Sequence, residues 1–441
     1  MKASDSHNQG WLEKSFAAGL LIIFGLVVFH APLTVWLGTF TEYDILVKSW
    51  KEFLLVALVP LATVILFRRP DVRERLIKDP LIWLITGYAI LHKIYFFNKL
   101  QDTVPYLAGL AIDLRYLLFF VLVYIAALTV PKFQRRTLQV VFFAAAVSLL
   151  FAVLQVVVLP PDILSHIGYG KDTIEPYLTI DKNPDYVRIN GTLRGPNPLG
   201  AYVLVIAALA VSYLLFHRGK LHTSAAMAAV LVMAPAVLWA THSRSAWLGV
   251  IVSIGVLAFL GLSRKINKYW VAALIAGPLL VLGSAIYVLK DTDFVSHVIV
   301  HSDPSDPVLD NSNEGHLESL IDGGARVLLE PFGRGPGSTG SASLLGDKPI
   351  VIENQYLFIA HEAGWLGLVL FLAIFVIVIR RLWQVKNNWF ALGVMASGIG
   401  LAVVGLVLPV WVDDTVSLVW WGLAGLAIAQ NHPHGKRKLK D

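Results

Sequence analysis

The sequence predicts an all-α, polytopic integral membrane protein, and three observations predict it. About twelve apolar stretches each approach the ~20 residues a helix needs to cross a bilayer. Hydrophobic residues make up 56% of the chain and charged ones 15%, where a soluble domain carries about 25% charged residues. The remaining basic residues gather on alternate connecting loops, the pattern that orients helices in a membrane.

Hydropathy places the spans at 16–38, 53–67, 81–97, 105–130, 138–158, 198–216, 223–241, 245–262, 268–289, 354–379, 388–408 and 411–429. The first span follows a short charged head without a small-residue cleavage site, so it is expected to stay as a helix and not to leave as a signal peptide. The loops on the side of the N-terminus are short and basic: Arg68 to Lys78, Lys132 to Arg136, Arg218 with Lys220, Arg264 to Lys268, Arg380 to Lys386, and the tail Lys436 to Lys440. That bias puts both termini in the cytoplasm and the chain in the inner (cytoplasmic) membrane, with the long loops 159–197 and 290–352 outside.

The expected organisation follows. Residues 1–289 form helices 1–9 with an outer loop at 159–197, residues 290–352 a large extracytoplasmic cap between helices 9 and 10, residues 353–430 helices 10–12, and residues 431–441 a basic cytoplasmic tail. Inside the cap, Asp303 to His316 is rich in turn residues, and 316–331 reads as an amphipathic helix lying on the membrane or over a site.

Several signals carry no special chemistry. Basic loops facing the inner leaflet account for the formal charge of +6, so no nucleic-acid partner is needed. The absence of cysteine excludes disulfides and thiolate metal sites. Gly335, Gly337 and Gly340 match the spacing of a dinucleotide fingerprint, but no strand or βαβ unit surrounds them, so the match reads as accidental. Asp291 and Asp293 have a metal-binding spacing that a solvated helix end explains as well, and no metal or other cofactor is expected. Asn190-Gly-Thr192 is a glycosylation sequon by pattern and first of all a turn.

What remains is a set of arginines on the outer side: Arg188 and Arg194 before span 6, Arg244 in the short turn between spans 7 and 8, and Arg326 with Arg334 in the cap. A guanidinium inside or at the edge of a membrane costs several kcal/mol unless an anion meets it. Its planar fork suits phosphate oxygens, so converging arginines can hold a pyrophosphate without a metal.

These residues lie in segments that resemble a known family. Arg188-Ile-Asn-Gly-Thr-Leu-Arg-Gly-Pro-Asn197, the Ser243-Arg244-Ser245 turn, and Arg326 followed by Pro331-Phe-Gly-Arg-Gly-Pro-Gly337 resemble blocks of the O-antigen ligase and polymerase superfamily of membrane glycosyltransferases. A fourth block has Asn354, then nine residues, Gly364 and Gly367, with Glu353 where those ligases carry histidine. The resemblance implies a GT-C-like helical bundle that moves a glycan from an undecaprenyl-pyrophosphate donor to an acceptor hydroxyl on a glycan, lipid or protein, with inversion and without metal. It further implies pyrophosphate binding by Arg188, Arg194, Arg244 and Arg326, substrate positioning by Asn197 and Asn354, and a general base at Glu353, with His361 and Glu362 as second choices. A polysaccharide polymerase would use the same donor chemistry. The rival from another class is a transporter or flippase of anionic solutes or lipid-linked glycans, which would be expected to show broken helices in matched halves. A rival sugar transferase would act through Glu42 and Asp44 in the first outer loop.

Overall fold

The computed structural model describes residues 10–42, 44–98, 102–180, 183–217, 219–263, 312–347 and 349–431, with isolated positions between 264 and 311. Its helices are α1 (Trp11–Leu26), α2 (His30–Gly38), α3 (Asp44–Lys48), α4 (Trp50–Arg68), α5 (Pro70–Ile77), α6 (Pro80–Asn98), α7 (Thr103–Thr129) and α8 (Phe133–Val157) in the first part of the chain. After these come α9 (Pro196–Phe216), α10 (Leu221–Thr241), α11 (Arg244–Leu262), α12 (Ser312–Leu329), α13 (Gly340–Ser343), α14 (Gln355–Gln384), α15 (Trp389–Val404) and α16 (Asp414–Ile428). Among the described residues, eight helices are long and apolar enough to cross a membrane, α1 and α2 counting as one of 28 residues, and α15 and α16 are shorter apolar helices. The chain is a multi-pass membrane protein. The expected span 268–289, the acidic pair Asp291 and Asp293, and the tail 432–441 lie wholly or largely outside the described residues.

Local chemistry starts these helices where they start. Pro196 supplies the first turn of α9, where its missing N–H costs nothing. Asn354 caps α14 by accepting from the amides of Tyr356 and Leu357 at 2.9 and 3.0 Å, and Asp413 caps α16 by accepting from Val416 at 3.0 Å.

The core is built on α9 and α16, both buried along most of their length. The first packs against α10, α11 and α15, and the second against α7. Apolar surface gains nothing by leaving lipid, so such helices are held by close packing and internal hydrogen bonds. The buried indole of Trp420 accordingly donates to the Val394 carbonyl at 3.0 Å. At the start of α6, Asp79 takes both nitrogens of Arg381 at 2.7 and 2.5 Å, which ties that end to α14.

Two features depart from a plain bundle. The long loop 159–197 contains an antiparallel hairpin, β1 (Tyr177–Ile180) with β2 (Asn183–Ile189), pairing Leu178 with Arg188 and irregular between Thr179 and Ile180. The turn that follows is locked onto α8: Gly191 donates its amide to Gln155 at 2.9 Å, and Thr192 shares a 2.6 Å hydroxyl contact with Ser148. Asn190 is buried and its amide donates to Glu175 O, so the turn reading of Asn-Gly holds and the sequon is out of reach.

The second feature is a break in α14 at Gly364, where φ is 68° and ψ is −179°. The segment 331–340 docks there. Trp365 donates its amide to Pro331 O at 2.9 Å, Arg334 donates to His361 O at 2.7 Å, and Gly335 donates to Glu362 O at 2.8 Å. The segment also runs hard against α7: a Cβ on Gly337 would sit 2.0 Å from Pro105 O, and one on Gly109 2.0 Å from Gly337 N. The glycine spacing that mimics a dinucleotide loop is therefore a packing device.

Candidate functional site

The starts of α9, α14 and α16 meet the end of α15 at one end of the bundle, and a cavity of about 330 Å3 lies between them. Ala201, Leu344, Val351, Ile352, Phe358, Val404, Leu408 and Val416 make its walls apolar. Arg194, Asn197 and Asp413 supply its polar end. Asp413 turns its carboxylate onto the Val416 amide, where the helix dipole meets the charge, while Arg194 is exposed.

Arg188 sets the geometry of that polar end. Hairpin pairing holds it in β2, its Nε donates to Thr241 O at 2.9 Å, and its Nη2 donates to Asn197 Oδ1 at 2.8 Å. One side chain thus links the hairpin, the end of α10 and the first turn of α9. Arg244 opens α11 three residues past Thr241 and is half-buried. Between them His242 adopts the left-handed conformation, φ 47° and ψ 32°. Burial lowers its pKa from the ordinary histidine value, and the Arg188 charge lowers it further. The imidazole is thereby kept neutral beside the guanidinium.

The other expected arginines belong to a different neighbourhood. Arg326 pairs with Asp322 one helical turn away at 2.9 Å. Arg334 donates its Nε to both Glu330 oxygens at 2.8 Å. That bond holds the Glu330 carboxyl below the usual carboxylate range. The structure therefore brings Arg194 and Asn197 together at the cavity, ties Arg188 to it through Asn197, and sets Arg326 beside Asp322.

The expected bases separate in the same way. Glu353 follows the cavity-lining residues Val351 and Ile352, is half-exposed, and pairs through its side chain with His316 of α12. Its backbone N–H donates to Ser319 Oγ at 3.0 Å. Asn354 spends its carbonyl on the α14 cap and its amide on Leu406 O at 2.7 Å, so its role is to fix α14 against the 405–413 segment. His361 is fully buried, 3.8 Å from Glu330 Oε2. Glu362 is buried as well: its Oε1 accepts from the amides of Gly337 at 2.9 Å and Thr339 at 3.3 Å, so the glycine loop cradles an internal carboxylate. Asp113 of α7 is its neighbour, and His92 Nε2 lies 3.4 Å from Asp113 Oδ2.

Sequence reasoning missed a second buried cluster near the start of α16. Asp414 lies 2.7 Å from Lys51 Nζ and 3.2 Å from His30 Nε2, and it also pairs with Arg115. Arg115 donates to Glu52 at 3.0 Å and to Val412 O at 2.6 Å. The Trp50 indole donates to His30 Nδ1 at 3.0 Å, and His30 Nε2 faces both Asp414 and, at 3.2 Å, Lys51 Nζ. The signal was present: Arg115 and Lys51 are ionisable residues in or at the head of expected spans, which read as functional by default.

No protein-family model matches the chain, and no curated protein matches it. An apolar cavity lined also by a guanidinium, an amide and a carboxylate can hold an amphiphile, with its chain against the apolar walls and an anionic head at Arg194.

Proposed function

We propose that the protein is a glycosyltransferase of the cytoplasmic membrane, with about twelve spans and both termini in the cytoplasm. It would move a glycan from undecaprenyl pyrophosphate to an acceptor hydroxyl outside, in the manner of an O-antigen ligase, with inversion at the anomeric carbon. One observation carries the reading: the apolar cavity is lined also by Arg194 and Asn197, the latter fixed by Arg188, with Asp413 in the same lining. A polyprenyl chain suits the walls and a pyrophosphate suits the polar residues, with the part-exposed Glu353–His316 pair next to the wall residue Ile352 as the groups that handle the acceptor's proton. Positive charge from the arginines takes the part a metal would play in stabilising the leaving group.

The test is release of undecaprenyl pyrophosphate by the purified protein from a lipid-pyrophosphate glycan, with and without acceptor and in excess EDTA. Acceptor-dependent release that survives the chelator supports the reading, and no release with any acceptor sinks it. Loss in EDTA that magnesium or manganese restores would return Asp291 and Asp293 to consideration as ligands.

A second reading has one observation in its favour. The break in α14 beside buried Glu362 and Asp113 is the kind of interrupted helix that carriers use at their binding sites. Flux of an anionic solute into proteoliposomes without release of undecaprenyl pyrophosphate would favour it.

A further inference from the structure

Exposure separates the titratable side chains around α14 that an acceptor can reach from those it cannot. His361 and Glu362 are 0% and 1% exposed, whereas the side chains of His316 and Glu353 keep 27% and 35%. A proton acceptor for a hydroxyl that arrives from solvent has to come from the second pair.

That pair is built by two elements in fixed register. α12 lies on the segment leading into α14, so that a Cβ placed on Gly323 would sit 3.2 Å from Ile352 Cγ2. One turn earlier, Ser319 Oγ accepts the Glu353 backbone N–H at 3.0 Å. His316 precedes Ser319 by three residues and so shares its helix face, which sets the imidazole over the Glu353 carboxylate. Val351 and Ile352, the residues just before Glu353, line the cavity.

We infer that His316 is the general base of the transfer and that Glu353 is the residue that positions it. This rests on the glycosyl-transfer reading above. Glu353 Oε2 lies against His316 Nδ1 as an ion-pair neighbour, and with the ring proton placed on Nδ1 the Nε2 lone pair is left for the acceptor. A carboxylate on one ring nitrogen fixes the tautomer and stabilises the imidazolium formed when the other nitrogen takes a proton. In the step itself, the acceptor O–H proton passes to His316 Nε2 as the acceptor oxygen forms its bond to the anomeric carbon. The bond from that carbon to the pyrophosphate oxygen breaks, and its electron pair leaves on the pyrophosphate, whose charge meets Arg194. Glu353 neither gains nor loses a proton.

The experiment uses the full-length protein in nanodiscs, with turnover read as undecaprenyl pyrophosphate released from a lipid-pyrophosphate glycan and binding read with undecaprenyl pyrophosphate alone. His316→Gly and His316→Gln should each lose about 10²–10⁴-fold in kcat, the range general-base catalysis supplies, while binding undecaprenyl pyrophosphate as wild type does. Added imidazole should restore turnover to the Gly variant, which a merely structural histidine would not permit. Glu353→Gln should lower kcat with the same binding retained, and Glu353→Asp should recover part of it. Turnover of both His316 variants within about threefold of wild type overturns the assignment, as does a loss that imidazole leaves unchanged. If wild type turns over and only the assignment fails, the glycosyl-transfer reading stands; if wild type releases nothing, both fall together.

Discussion

Replacing Gly364 by Ala tests the junction that shapes the site, whatever the site does. At φ 68° and ψ −179° the backbone occupies a region open essentially to glycine alone, and holding another residue there costs about 1–3 kcal/mol. The added Cβ would also lie 2.6 Å from the carbonyl carbon and oxygen of Phe332 and 2.8 Å from Pro331 O. The alternative is to let the 331–337 segment go. That gives up the bonds from Trp365 N, Arg334 N, Gly335 N and Gly337 N, each worth about 1 kcal/mol net, or about 4 kcal/mol together. The variant takes the cheaper route, so docking should weaken by about 2–4 kcal/mol. Hydrogen exchange in nanodiscs reads this directly: the amides of 334–339 should exchange about 30- to 1000-fold faster, because each 1.4 kcal/mol is a factor of ten in the opening equilibrium. Gly340, Ser341 and Leu344 continue the same segment into the cavity wall, so affinity for undecaprenyl pyrophosphate should fall in parallel. A folded variant with wild-type protection across 334–339 would refute the reasoning, because it would mean that the break does not depend on glycine.

Other outcomes follow from the same contacts. Arg244→Lys keeps the charge and loses the planar fork, so kcat/KM for transfer should fall about 10–100-fold in a protein that still folds, and wild-type turnover would remove Arg244 from the mechanism. Asp414→Asn leaves Lys51 and Arg115 short of their shared carboxylate and should cost about 3–5 kcal/mol in unfolding measurements in detergent; a loss under about 1 kcal/mol would show that water or lipid headgroups already compensate these cations. His242 has a lowered pKa in the fold, so its contribution to stability is complete above the unfolded value of about 6.5 and drains away as pH falls below it. His242→Asn, which tolerates the left-handed backbone, should flatten that acid slope, and an unchanged slope would assign it to other groups.

Helix positions were legible because a bilayer demands length and apolarity, and little else in a sequence satisfies both. The expectation 198–216 meets Pro196–Phe216, and 223–241 meets Leu221–Thr241. The expectation 16–38 meets a helix that starts earlier, at Trp11, because Glu13 sits in its first turn, where the dipole favours an acid. The hairpin was less visible, since the run Asp185-Tyr-Val-Arg-Ile189 is short and flanked by turn residues. Gly364 could not be read as a break, because what breaks α14 is a segment about 30 residues upstream in the chain whose carbonyl competes for the Trp365 amide. At the site, Arg188 and Asn197 were singled out, but the Thr241 carbonyl that fixes Arg188 comes from another helix. His316 went unnoticed as a base because its partner lies 37 positions away in sequence, across two elements.

The buried charges bear on the choice between enzyme and carrier. A carrier that opened between α2, α4, α7 and α16 would have to pull Asp414 from Lys51 and Arg115, and Arg115 from Glu52. Leaving a partner of such a buried pair uncompensated costs about 3–5 kcal/mol. The cluster instead fixes the start of α16, the element that carries Asp413 and Val416 into the cavity. The Arg188 linkage likewise fixes the start of α9, which carries Asn197. The polar end of the cavity is thus clamped from two sides. Group transfer gains from such a clamp, since donors held in place before the reaction need no reorganisation as charge develops on the leaving group. Transport by rocking would have to undo it at every cycle, which is why the rigid end of the bundle supports the enzyme reading over the carrier.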